Sequence, residues 1–60
     1  MPYNETIEQA WQYYNIGKDN ISRGQIGTAR SHLTLACTMA VKNNCHDLVK
    51  LIDDLLDDIS

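Results

Sequence analysis

Sixty residues make one domain at most, and a chain this short buries only about 60% of the surface it exposes when unfolded, so any fold it adopts has little stability to spare. An apolar fraction of 43% is too high for a disordered chain, and a net charge of −3 from five basic and eight acidic residues is a poor footprint for duplex nucleic acid. No run approaches the roughly 18 apolar residues of a membrane span, and no basic start leads into an apolar signal segment. The chain therefore reads as soluble and cytoplasmic, with Cys37 and Cys45 as free thiols rather than a disulfide.

Proline occurs once, at Pro2, and glycine three times, which favours long uninterrupted helices. The expected class is all-α: an antiparallel helical hairpin followed by an amphipathic third helix, with helices at about residues 5–23, 25–42 and 45–59. Two N-termini are open for the first helix. Asn4 is a capping residue with Glu5 behind it, and Thr6 with Gln9 fits a capping box. Ile7, Ala10, Trp11, Tyr14 and Ile21 then recur at helical spacing. Gly17 stays in phase with them, which points to close packing rather than a helix end. Gly24 suits the left-handed position that closes a helix.

In the second helix Ile26, Ala29, Leu33, Ala36, Cys37, Ala40 and Val41 repeat at three- and four-residue steps, mostly with small side chains that let two backbones approach. Leu35 and Met39 form a second apolar strip on another face. Asn43-Asn44 signals a turn. The third helix carries Leu48, Leu51, Ile52, Leu55, Leu56 and Ile59 on one wide face. Asp53, Asp54, Asp57 and Asp58 flank it, four of the eight acids in the chain. The last two stand at the negative end of the helix dipole, where carboxylates are unfavourable. So much apolar surface exceeds what one hairpin covers, and Leu48, Leu51, Ile52 and Leu55 are the expected interface of a homodimer.

Tyr13-x-x-Ile16-Gly17, Asn20, Gly24 and Ala29-x-x-x-Leu33-x-x-Ala36 together resemble a tetratricopeptide repeat, whose pattern is Trp-x-x-Leu-Gly-x-x-Tyr, then Ala-x-x-x-Phe, then Pro, across about 34 residues. Tyr13 stands for the Trp, Ile16-Gly17 for Leu-Gly, Asn20 for the Tyr and Leu33 for the Phe. Val41 to Asn44 contains no closing proline. The match spans roughly residues 10 to 43, and the third helix takes the place of the helix that caps such arrays. The resemblance implies a first helix lining a concave groove for a peptide or helix, and its phase puts Trp11, Tyr14, Asn15 and Lys18 there. Trp and Tyr dominate binding hot spots, which supports the same assignment.

Other chemistries have less behind them. Cys37 and Cys45 stand eight apart, far from the close pairs of zinc sites, and His32 and His46 would have to complete the set. Neither histidine has nucleophile and acid partners at a recognisable spacing. No metal, cofactor or catalytic residue is expected. The expected function is a small non-enzymatic protein–protein interaction module that modulates a larger partner, and its compactness fits small regulators of bacteria or their phages. The alternative is a small DNA-binding regulator with a helix-turn-helix-like segment built on Arg23, Arg30 and His32, which requires basic side chains on one exposed helix face.

Overall fold

The structure is a computed structural model that describes residues 6–60. It is all-α, with three helices: α1 Ile7–Ser22, α2 Ile26–Lys42 and α3 His46–Ile59. Thr6 is the cap of α1. Its Oγ1 accepts from the Gln9 amide at 3.2 Å, and the Gln9 Oε1 accepts from the Thr6 amide at 3.1 Å, which completes the capping box. Asn4 and Glu5, the other candidate start, lie outside the described residues, as does Tyr3.

The same turn is used twice. After α1, the Gly24 amide donates to the Ile21 carbonyl at 3.0 Å and the Gln25 amide to the Asn20 carbonyl at 2.8 Å. After α2, the Asn44 amide donates to Val41 at 3.0 Å and the Cys45 amide to Ala40 at 2.9 Å. Both are Schellman closures, which satisfy carbonyls that a helix end leaves free. Each needs one left-handed residue, supplied by Gly24 (φ 77°) and Asn44 (φ 56°). Glycine adopts that conformation without cost, and asparagine does so more readily than other residues. Neither Gln25 nor Cys45 makes a side-chain cap on the helix that follows.

α1 packs closely on α2 as an antiparallel hairpin, α3 packs on α2 less extensively, and α1 and α3 hardly meet. The α1–α2 contact is made by small residues. Ala10, Ala29, Ala36 and Ala40 are fully buried, and a methyl group built on Gly17 would lie 2.7 Å from Cγ and Cδ2 of Leu33. The α3 contribution is bulkier, with Leu48 and Ile52 both fully buried. Burying an aliphatic side chain of that size stabilises by about 1.5–3 kcal/mol.

Three expectations from sequence change here. Met39 is buried in the core, whereas Leu35, four residues before it, is 47% exposed, so the two do not share a strip. Val41, expected on the inner face of α2, is 58% exposed. Leu48 and Ile52 are covered within the chain and are not free to form a dimer interface; of the four residues expected there, only Leu51 is exposed, at 42%, while Leu55 is half-buried. The first two share a physical reason: a helix in the middle of three has two buried flanks, so periodicity alone misjudges how wide its covered sector is and where it lies. For the third, α3 spends the Leu48–Ile52 side of its apolar face on packing within the chain.

Candidate functional site

Contacts to α2 fix which side of the molecule each surface occupies. His32 on one flank of α2 meets α1: its Nδ1 donates to Asn20 Oδ1 at 2.8 Å, and its ring stacks on Tyr13 with centroids 5.9 Å apart. Arg30, at the opposite flank of the buried strip, reaches α3 instead, its Nη2 donating to the Ile59 carbonyl at 3.4 Å. α1 and α3 thus lie against adjacent sides of α2. Tyr13 and Asn20 form the flank of α1 turned away from α3, so Trp11, Tyr14 and Lys18, across the helix from them, form the flank turned toward it.

That flank is ordered by its own contacts. The Trp11 and Tyr14 rings meet edge to face, with centroids 5.6 Å apart and planes at 86°. The Lys18 ammonium sits over the Tyr14 ring, 5.4 Å from its centroid. Edge-to-face pairs and cations within about 6 Å of a ring are both attractive arrangements of the aromatic quadrupole. Spacings of three and four residues along α1 put the three side chains in a row. Tyr14 packs its inner edge against the core, whereas Trp11 remains 39% exposed and Asn15 and Lys18 are exposed. The row joins the four α1 residues expected to face a partner, with Asn15 at its edge. On α3, Leu51 and Leu55 lie across the helix from Asp53 and Leu56, and therefore on the same open side as the row.

The three residues of the DNA-binding alternative go to separate places. Arg23 pairs with Asp19 at 3.0 Å in an exposed ion pair. Arg30 holds the end of α3, and a cation at the negative end of a helix dipole is favourable. His32 belongs to the α1–α2 contact, where Asn20, nearly fully buried, accepts from His32 and donates through Nδ2 to Gln25 Oε1 at 3.0 Å. Because an amide oxygen can only accept, that bond fixes the His32 proton on Nδ1.

Among the described residues no group of three or more His, Cys, Asp or Glu side chains is placed to hold a metal ion, and no helix is long and apolar enough to cross a membrane. Cys37 and Cys45 are both half-buried against the core as free thiols. Burial, reinforced by the nearby negative charge of Asp53, raises the Cys37 pKa and keeps it a thiol at neutral pH, a poor state for a nucleophile.

Sequence reasoning missed one surface. On the side of α2 and α3 away from α1, an open groove runs along their seam. It consists of two recesses of about 460 Å³ each, which share Thr34 and Leu56. One is lined by Cys37, Thr38, Val41 and Lys42, the other by Arg30, Asp53, Asp54, Asp57 and Ser60. The available signal was Val41 with Thr34 and Thr38 at three- and four-residue steps, obscured because threonine is neither clearly apolar nor clearly polar.

Among known proteins, no family model matches the chain, and no curated protein or solved structure shows significant similarity to it.

Proposed function

We propose that this chain is a small, non-enzymatic protein-binding module that acts by occupying a larger partner through the open side between α1 and α3. The observation that carries this reading is the Trp11–Tyr14–Lys18 row, held in a fixed arrangement while its outer face stays exposed. Rigid aromatic side chains contribute contact area at small entropic cost, and Trp and Tyr are the commonest hot-spot residues. The tight Gly17–Leu33 contact, with Ala29 and Ala36 buried beside it, supports a hairpin like that of a tetratricopeptide repeat, and the open side then corresponds to that family's concave groove. A second copy of the chain is one partner this side suits, with Leu51 and Leu55 as its apolar contribution. The dispersal of Arg23, Arg30 and His32 makes this reading stronger than DNA binding.

Two variants test it: Trp11→Ala, and Leu51→Asp, both at exposed positions where substitution leaves the helix content unchanged. Light scattering over about a tenfold concentration range reads self-association. Affinity capture against the wild-type chain reads other partners. Either variant should convert a dimer to a monomer or release the captured protein. A dimer mass and a capture profile that survive both substitutions would show that the open side is not the binding surface.

A further inference from the structure

The groove between α2 and α3 is a second surface, on the opposite side from the Trp11 row, and its two ends differ in chemistry. At one end the lining is apolar in effect. Thr34 donates its hydroxyl to the Arg30 carbonyl at 2.8 Å, and Thr38 donates to the Thr34 carbonyl at 3.1 Å. Both hydroxyls are thus satisfied by the helix itself and leave a methyl group as the remaining surface. Val41, 58% exposed, and half-buried Leu56 and Cys37 extend that apolar wall, and exposed Lys42 lines the same recess. At the other end Asp53, Asp54 and Asp57 of α3 line the recess together with Arg30 of α2, whose hydrogen bond goes to the Ile59 carbonyl.

From Arg30 to Val41 the groove follows twelve residues of α2, a length of about 16 Å, or three turns of a helix laid along it. The acidic end selects the charge of the occupant. A second copy of this chain presents the same carboxylates and a net charge of −3, so like charges would meet. We propose that the α2–α3 groove docks a basic amphipathic helix of a partner protein, with apolar side chains on Thr38, Val41 and Leu56 and Lys or Arg side chains against Asp53 and Asp57. This is the helix-in-groove mode of recognition, with apolar anchors at three- and four-residue spacing and flanking charges for orientation.

The test uses the full chain, isotope-labelled, titrated with two synthetic helical peptides. Both have one leucine stripe, and they differ only in carrying Lys or Glu beside it. The Lys peptide should shift the amides of Thr34, Cys37, Thr38, Val41 and Leu56. Its affinity should fall about three- to tenfold in the D53N/D57N double variant, and it should weaken further when ionic strength rises, as exposed ion pairs do. Aspartate and asparagine are of similar size and both positions are exposed, so the double variant should remain folded. Trp11→Ala should bind the Lys peptide as the wild type does, which separates this site from the open side. The proposal is overturned if neither peptide shifts those amides, if the Glu peptide binds as well as the Lys peptide, if the double variant binds undiminished, or if the shifts centre on Trp11, Tyr14 and Lys18.

Discussion

α2 makes its two helix contacts by opposite means. Against α1 it works through what is missing: Gly17 has no side chain, and Leu33 fills the space where one would stand. Polar groups then fix the register of that contact through Asn20, His32 and Gln25. Against α3 it works through bulk, with Leu48 and Ile52 fully buried, and Arg30 adds a hydrogen bond to the Ile59 carbonyl at the end of α3. The first contact is shape-specific and tolerates no added atom. The second is a burial of aliphatic surface that depends on volume and is less particular about outline. A chain of 60 residues needs both, since neither alone leaves a margin over conformational entropy.

This contrast can be broken from either side. Removing volume should hurt the α3 contact most: Ile52→Ala should cost about 2–5 kcal/mol, enough to unfold so small a domain. Urea denaturation followed by circular dichroism measures it, and a loss under about 1 kcal/mol would mean that α3 is only loosely docked. Adding volume should hurt the α1 contact. Gly17→Ala gains about 1 kcal/mol of helix propensity but forces Leu33 from its place, so a net loss of about 1–2 kcal/mol is expected. A stabilised Gly17→Ala variant would show that the hairpin is not closely packed there.

The smallest effect sharpens the comparison at the turns, which are alike in hydrogen bonding and differ in their left-handed residue. No atom lies within 4 Å of the position a methyl on Gly24 would take, so backbone conformation alone sets the cost of substitution. Gly24→Ala should lose about 1 kcal/mol, and Gly24→Asn, which copies the second turn, should lose less. Equal losses in thermal unfolding would point to side-chain crowding instead.

Sequence periodicity and turn chemistry were sufficient for the helices. Gly24 and the Asn43-Asn44 pair marked both closures because left-handed backbone has few suppliers, and Thr6 with Gln9 carried one of the two possible starts. The small residues Gly17, Ala29 and Ala36, with Leu33 among them, located the hairpin contact, since small side chains permit so close an approach. The row of Trp11, Tyr14 and Lys18 was also legible, because three- and four-residue spacing on one helix needs no tertiary information.

Which faces remained open was decided only by the tertiary structure. Leu48 and Leu51 are three residues apart and chemically identical, yet one is fully buried and the other 42% exposed. Met39 and Leu35 divide in the same way. His32 could have faced a ligand or the core, and Asn20, on another helix, determined which. The α2–α3 groove follows from where α3 lies on α2, a placement set by the fit of whole helix surfaces. Local sequence fixes the phase of each helix about its own axis, but the burial of a given side chain depends on the neighbour that covers it.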